Sequence, residues 1–222
     1  AEWGGRPNTV ALGLGANLPP VISLDRSPEW DGFYWVSEGE NLALDASGSS
    51  DPDGASSALT YAWDLDGNGT FETSGPQAVI STAGWNGPTT ITPEPALRVV
   101  DELGSVSTRS FTVKVLNVAP ANVTIIADPA WSGWIGDPVR LTVGFTDPGQ
   151  AAGETYTYTW YVYGQKQDDQ TGPDFVFTPR WASAFPISVE VRDSDGGNGF
   201  QQLTLNSINP SPQITPLTVD QA

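Results

Sequence analysis

The stretch Thr155-Tyr156-Thr157-Tyr158-Thr159-Trp160-Tyr161-Val162-Tyr163 places β-branched and aromatic residues at every one of its positions. Such residues fit a pleated strand, and the period of two between threonine and aromatic residues puts the two kinds of side chain on opposite faces. The stretch is therefore predicted to be a β-strand with one face in a hydrophobic core.

Period-two alternation recurs along the rest of the chain, and no stretch shows a comparable helical period. The intervening segments are rich in Gly, Pro, Asp, Ser and Asn, which are the residues of tight turns. Short strands separated by frequent turns predict an all-β fold, a sandwich or a barrel. The further predicted strands are residues 41–46, 59–63, 96–100, 110–115, 140–145, 187–191 and 202–205.

The pattern Asn-x-x-Pro ends three strand-like runs, at residues 17–20, 117–120 and 209–212. The asparagines are 100 and 92 residues apart, which is the length of one β-sandwich domain. We therefore predict one domain over residues 19–118 and a second over 119–209. Residues 1–18 are predicted to be the end of a preceding repeat or a donor strand, and residues 210–222 a C-terminal strand or tail.

The chain is acidic, with 26 Asp and Glu against nine Lys and Arg and a formal net charge of −17. Such a surface repels the phosphate backbone of nucleic acids and makes divalent cations the natural counter-ions. No stretch approaches the ~20 apolar residues of a membrane-spanning helix. We therefore expect neither nucleic-acid binding nor a membrane span in this chain.

Residues 42–64, which include Asp51-Pro52-Asp53-Gly54, together with residues 99–101 and 111–113, resemble a polycystic-kidney-disease (PKD) repeat. The resemblance covers residues 19–118. Residues 119–209 resemble the same repeat more loosely and carry Gly149 where the first copy has Asp53. The resemblance implies two tandem immunoglobulin-like sandwiches of a bacterial-type secreted or cell-surface protein, which contact proteins or carbohydrates.

Nine tryptophans fall into two groups. Trp63 and Trp160 lie within predicted strands, and we expect both to fill the space between two sheets. The others lie in turn-rich or irregular stretches, where they either plug the ends of the sandwiches or pack between neighbouring domains, or instead form a platform for sugars or a partner chain. These others are Trp3, Trp30, Trp35, Trp85, Trp131, Trp134 and Trp181.

Acidic residues of the first domain are expected at both of its poles. The immunoglobulin-like order of strands brings Asp51, Asp53 and Asp101 to the N-terminal pole, where carboxylate oxygens suit Ca²⁺. The opposite pole holds residues 64–72, in which Asp64, Asp66 and Asn68 repeat the first half of an EF-hand loop. Glu72 comes three residues before the position of the EF-hand glutamate, so this segment is either an isolated calcium loop or a plain acidic turn.

A junction between the domains is a further candidate calcium site. We hypothesise that Asp64, Asp66 and Asn68 face three acids of the second domain, and that a bound Ca²⁺ neutralises them and stiffens the pair. The alternative is a set of solvated acidic turns without an ion. The three acids of the second domain are Asp147, Asp193 and Asp195.

The absence of histidine and cysteine argues against an enzyme, because it removes the usual general base and the thiol nucleophile. We expect an extracellular, non-catalytic structural or adhesive protein, a rigid spacer or the subunit of a cell-surface fibre. Its partners would be copies of itself, neighbouring repeats, a polysaccharide or a matrix protein. The alternative is an accessory carbohydrate-binding or protein-binding module of a secreted hydrolase.

Filament assembly is one form of the structural hypothesis. Residues 9–16 and 213–219 could each add as a strand to an open sheet edge of a neighbouring molecule. A head-to-tail contact that does not close produces a fibre.

Overall fold

The computed structural model describes residues 16–25 and 32–211. Within these residues the chain is built from β-strands and two short 3₁₀ helices, Ser56–Ala58 and Pro148–Ala152. None of the helices in this part of the chain has the length and apolar character needed to cross a membrane. The strands are β1 Tyr34–Ser37, β2 Asn41–Asp45, β3 Thr60–Asp64, β4 Thr73–Ser74, β5 Gln77–Ser81, β6 Thr89–Thr90, β7 Ala96–Val100, β8 Val106–Ser110, β9 Val113–Leu116, β10 Ala121–Ala127, β11 Val139–Thr146, β12 Tyr156–Val162, β13 Gln165–Lys166, β14 Asp174–Phe177, β15 Ser183–Asp193 and β16 Asn198–Ser207.

The chain forms two compact units. Unit 1 comprises Ala1–Trp35, Leu42–Ile80 and Thr90–Lys114, and unit 2 comprises Val36–Asn41, Ser81–Thr89 and Val115–Ala222. Two short segments from the first half of the chain thus belong to unit 2.

Unit 1 contains a four-stranded sheet in the order β4-β3-β7-β8, and strand β2 pairs with β5. Trp63 stands opposite Leu97 in the antiparallel pair β3–β7, and both side chains are fully buried. The indole Nε1 of Trp63 donates a hydrogen bond to the carbonyl oxygen of Gly75 at 2.8 Å, and its ring packs edge-on against Phe111. The predicted core position of Trp63 is confirmed.

The strand predicted over residues 110–115 is wrong as a single element. Strand β8 ends at Ser110 and β9 begins at Val113, because the chain changes partners between them. Strand β8 pairs with β7, whereas β9 lies between β1 and β6 in another sheet. Phe111 marks the change, with its backbone N–H bonded to the carbonyl of Pro95 and its ring buried.

Unit 2 has two sheets, β10-β11-β14 and β13-β12-β15-β16, and every pair within them is antiparallel. Trp160 stands opposite Val189 and is fully buried, with its Nε1 donating to the carbonyl of Gly172 at 3.0 Å. It packs with Leu141, Phe175 and other residues of both sheets in one hydrophobic core. The predicted core position of Trp160 is therefore confirmed as well.

These sheets confirm an all-β fold of the immunoglobulin-like sandwich class. The domain limits predicted at residues 19, 119 and 210 stay predictions. The strands proposed for filament assembly and two of the tryptophans, Trp3 and Trp30, lie outside the described residues.

The Asn-x-x-Pro pattern has a structural explanation in both units. In unit 1 the Nδ2 of Asn17 donates to Asp101, and in unit 2 the Nδ2 of Asn117 donates to Asp193, each at 3.0 Å. Both aspartates are buried and begin a turn between two antiparallel strands, where one carboxylate oxygen accepts two backbone N–H groups. Each asparagine therefore ties the chain segment that carries it to the turn of a sandwich.

Candidate metal centre

Three carboxylates converge within unit 2. Oxygens of Glu38, Asp147 and Glu154 all lie within 4.8 Å of one another. Glu38 is 1% exposed, Asp147 is 7% exposed and Glu154 is half-buried. Glu38 follows β1, whereas Asp147 follows β11 and Glu154 precedes β12, so the fold brings distant parts of the sequence together.

A tight turn after β1 presents Glu38 to this cluster. Gly39 has φ of +77°, a conformation that L side chains rarely adopt. A Cβ on Gly39 would also stand 2.6 Å from Pro148 Cβ, so this close approach to the loop of Asp147 requires glycine. The fully buried hydroxyl of Thr82 lies 2.8 Å from the carbonyl oxygens of both Ser37 and Glu40, so its single proton bonds one side of the turn or the other.

The carboxylate of Glu38 is held by two backbone donors. Its Oε2 accepts the N–H of Gly87 at 2.7 Å, and its Oε1 accepts the N–H of Val118 at 2.9 Å. These hydrogen bonds fix the position of the carboxylate. Each oxygen keeps a further lone pair for another partner.

Asp147 and Glu154 each leave one buried oxygen without a hydrogen-bond partner. Asp147 Oδ1 accepts the N–H of Gly149 at 2.8 Å, and Glu154 Oε2 accepts the hydroxyl of Tyr156 at 3.0 Å. The other oxygens, Asp147 Oδ2 and Glu154 Oε1, are buried and accept no hydrogen bond. Such groups are rare in folded proteins and call for a physical explanation.

Two amide side chains in the same unit show the same feature. The Oδ1 atoms of Asn86 and Asn117 are buried and have no hydrogen-bond partner. Their Nδ2 atoms are used, since Asn86 donates to Asp195 Oδ2 and Asn117 donates to Asp193 Oδ2, each at 3.0 Å.

The electrostatics of the cluster are unfavourable without a positive charge. Burial raises the pKa of Glu154 to about 7, although the hydrogen bond from Tyr156 acts in the opposite direction. Repulsion from the carboxylates of Asp147, Asp193 and Glu38 raises this pKa further. Burial also raises the pKa of Asp147, which Asp193 repels as well. Each of these charged neighbours is an acid, so hydrogen bonds but no opposite charge among them compensate the ionised cluster.

Basic side chains pair with acids outside this cluster. Arg140 pairs with Asp174, and Lys166 pairs with Asp168. Buried carboxylates are neutralised either by protonation, which the raised pKa values of Glu154 and Asp147 favour, or by a bound cation. Carboxylate and amide oxygens without nitrogen or sulfur ligands favour a hard cation such as Ca²⁺.

The acidic loop of unit 1 brings three carboxylates together. Oxygens of Asp64, Asp66 and Glu72 lie within 4.8 Å of one another, so the early glutamate does join the two aspartates. Asn68 lies among them, but its Nδ2 donates to Asp66 and Glu72, and its Oδ1 accepts the N–H of Thr70. These are the bonds of an acidic turn, and a cation at this loop stays a prediction.

The acids predicted at the other pole of unit 1 make separate hydrogen bonds. Asp51 accepts the N–H of Asp53, Asp53 accepts the N–H of Leu18, and Asp101 binds Asn17. Among residues 16–25 and 32–211, the two groups of three converging carboxylates are those described above, and these aspartates belong to neither. A cation here stays a prediction too.

The predicted six-residue junction mixes members of two groups. Asp147 lies with Glu38 and Glu154 in unit 2, whereas Asp64 and Asp66 lie with Glu72 in unit 1. Whether the two groups face one another stays a prediction. Asp193 and Asp195 hold the amides of Asn117 and Asn86, respectively.

Three residues of the candidate site were not predicted from the sequence, namely Glu38, Glu154 and Asn86. The signal for Glu38 was an acid directly before a glycine at the end of an alternating run, Tyr34–Ser37. Asn117 was noticed as the mark of a repeat and not as a polar group of a site. For Asn86 the local sequence contains no signal, because only the fold brings it near Glu154.

Comparison with known proteins gives structural similarity without sequence similarity. No protein-family model matches the chain, and no curated protein sequence matches it. Among solved structures, the fibronectin(III)-like modules of Clostridium thermocellum CbhA share 12% identity and a TM-score of 0.36, over 90% of this chain and all of theirs.

Two further solved structures are similar to this chain over part of their own length. The eight N-terminal Ig domains of Down Syndrome Cell Adhesion Molecule share 14% identity and a TM-score of 0.41, over 87% of this chain and 24% of that one. Protocadherin Gamma B2 cadherin domains 3–6 share 13% identity and a TM-score of 0.39, over 85% and 47%. At these scores the fold assignment rests on the chain's own strand order.

Proposed function

We propose that this chain is a non-catalytic structural module of an extracellular protein, and that Ca²⁺ bound by Glu38, Asp147 and Glu154 stabilises unit 2. The observation that carries the proposal is the pair of buried carboxylate oxygens without partners, Asp147 Oδ2 and Glu154 Oε1. A cation between them would supply the missing partner and neutralise the charge.

The proposed ion would connect segments that are far apart in sequence. Glu38 belongs to Val36–Asn41, whereas Asp147 and Glu154 belong to Val115–Ala222. The first segment continues at both ends into residues of unit 1, so fixing it in unit 2 would restrict the chain that connects the units. This is the sense in which calcium would stiffen the protein.

The proposed location agrees with the chemistry of the site. Calcium sites of extracellular modules have dissociation constants on the order of 10⁻⁴ to 10⁻³ M, a range that suits the calcium-rich cell exterior. The absence of histidine and cysteine supports a non-catalytic role. A structural repeat that binds its neighbours or its own copies is the class of protein that this combination favours.

Calcium is expected to raise the thermal stability of the protein. At free calcium one hundred times the dissociation constant, a single site adds about 2.7 kcal/mol to the free energy of unfolding. The measurement is thermal unfolding followed by circular dichroism in calcium and in chelator. The variant Asp147→Asn should lose the calcium-dependent increase without being less stable than the wild type in chelator, because it removes a buried negative charge.

A matched control is Asp168→Asn, which removes an exposed carboxylate in the same unit. It should keep the full response to calcium. Equal melting temperatures of the wild-type protein in calcium and chelator, across millimolar concentrations, would contradict the proposed site.

Carbohydrate binding is a second candidate function, in an accessory module of a secreted hydrolase. Trp134 is 48% exposed, Trp181 is 56% exposed and Tyr163 is 47% exposed, and all three belong to unit 2. Exposed aromatic rings of this size are typical of contact surfaces. Their exposure supports the alternative that the tryptophans form a platform.

This second candidate predicts retention on insoluble polysaccharide. Wild-type protein should sediment with cellulose or chitin, and Trp181→Ala should stay in the supernatant because it loses a stacking surface. Trp85→Ala serves as a control, since that half-buried residue lies elsewhere along the chain. A wild-type protein that stays in solution with both polymers favours the structural module.

A further inference from the structure

The amide side chains of Asn86 and Asn117 point to further ligands in the proposed calcium site, an inference that rests on the proposed function. We propose that both amides bind the cation through Oδ1. Asp195 and Asp193, which the sequence analysis treated as metal ligands, are instead positioning residues that orient the two amides.

The side chain of Asn86 lies close to the carboxylate cluster of Glu38, Asp147 and Glu154, next to Gly149. Asn86 Oδ1 lies 2.9 Å from the point where a Cβ on Gly149 would stand, and Glu154 Oε2 lies 2.2 Å from the same point. The two oxygens therefore converge over a residue that must lack a side chain. Asn86 Oδ1 is buried there and accepts no hydrogen bond, which is the state of an oxygen ligand whose cation is missing.

Asn117 directly precedes a residue that bonds to Glu38. Its neighbour Val118 donates its backbone N–H to Glu38 Oε1, and its Nδ2 donates to Asp193 Oδ2. Its Oδ1 is buried without a partner, as in Asn86. Two asparagines from separate segments of unit 2 thus share one arrangement. In each, the amide nitrogen donates to an aspartate and the amide oxygen has no hydrogen-bond partner.

The aspartates account for this orientation. An asparagine amide has two donors on nitrogen and an acceptor on oxygen, and a carboxylate can bind only the nitrogen side. Once Asp195 accepts from Asn86 Nδ2, the carbonyl oxygen must point away from Asp195. Outer carboxylates that fix the orientation of metal ligands are a general feature of metal sites.

Hydrogen bonds engage Asp193 more fully than Glu38, which accepts two. Its Oδ1 accepts the N–H groups of Asp195 and Gly197, and its Oδ2 accepts Asn117 Nδ2. The amides would add two neutral oxygens to the three carboxylates. Five protein residues and bound water together reach the coordination of about six to eight oxygens that Ca²⁺ prefers.

The test is a double-mutant cycle on Asn86 and Asp195, with CaCl₂ as the titrant in isothermal calorimetry. Asp195 is exposed, so its replacement leaves the core unchanged. We expect Asp195→Ala to weaken calcium binding roughly tenfold or more, the effect typical of an outer-shell partner. Asn86→Ala should weaken it at least as much, and the double variant should bind like Asn86→Ala alone, because Asp195 acts through the amide.

Three results would overturn the inference or its basis, and they differ from one another. If the factors by which the two substitutions weaken calcium binding multiply in the double variant, then Asp195 acts on the cation directly or through its charge. Unchanged affinity in Asn86→Ala would exclude the amide as a ligand while leaving the carboxylate site intact. Absence of calcium binding by the wild-type protein would instead contradict the proposed function itself.

Discussion

Replacing Trp160 by alanine is expected to lower the free energy of unfolding by about 3–5 kcal/mol, the range for truncating a fully buried aromatic residue. Trp160 is 0% exposed, and its ring centroid lies 5.1 Å from that of Phe175. The substitution leaves a cavity between the two sheets of unit 2. It also removes the donor to the carbonyl of Gly172, which adds the loss of one hydrogen bond.

Urea unfolding followed by far-ultraviolet circular dichroism measures this effect without depending on the fluorescence of the residue that is removed. The matched control is Trp181→Ala in the same unit, a tryptophan that is 56% exposed. It should change the stability by less than about 1 kcal/mol, although its ring contacts Phe185. An unchanged unfolding midpoint in Trp160→Ala would contradict its position in the core.

Gly87→Ala is expected to disturb both folding and the proposed calcium site. A Cβ on Gly87 would stand 2.4 Å from the backbone carbon of Leu116 and 2.5 Å from the backbone nitrogen of Asn117. These are backbone atoms that a rotamer change cannot move aside. Inserting a methyl group into such a contact costs about 1–3 kcal/mol or more. Displacement of the backbone would also weaken the hydrogen bond from Gly87 to Glu38.

The expected outcome is a lower melting temperature in chelator together with weaker calcium binding, measured by circular dichroism and calorimetry. Gly172→Ala is the control, because a Cβ there would meet nothing closer than 4.0 Å. It should leave both quantities nearly unchanged. A Gly87→Ala protein with the stability and calcium affinity of the wild type would show that the approach of this loop to Asn117 is not required.

The sequence was informative wherever a pattern within one strand decides the structure. The alternation in residues 155–163 predicts β12, and a large aromatic within such a strand predicts the burial of Trp160. The same reasoning places Trp63. These features depend on neighbours along the chain, which a sequence displays directly.

The prediction from sequence was wrong where a strand changes its pairing partner. Residues 110–115 alternate as one strand would, yet the chain leaves one sheet at Ser110 and joins another at Val113. A period of two records that a face is buried and contains no information on which sheet buries it. The change of sheet could therefore not be read from the local pattern.

The candidate site was predictable only in part for a related reason. Asp147 follows a predicted strand and an immunoglobulin-like order of strands places it at a pole, which is enough to suggest a ligand. Glu38 and Asn86 reach the same place through the turn at Gly39 and the segment Ser81–Thr89. Glu38 stands before Gly39 and Asn86 before Gly87, but neither short pattern specifies a tertiary contact, and their proximity to Glu154 arises from tertiary structure alone.

The sharing of Asp193 between Asn117 and the turn after β15 couples two equilibria. One carboxylate accepts the backbone N–H groups of Asp195 and Gly197 and also the amide of Asn117. If the amide oxygen binds a cation, then opening of the turn and release of the cation become thermodynamically linked. Linkage is reciprocal, so closing of the turn tightens cation binding by the same free energy with which the bound cation favours the closed turn.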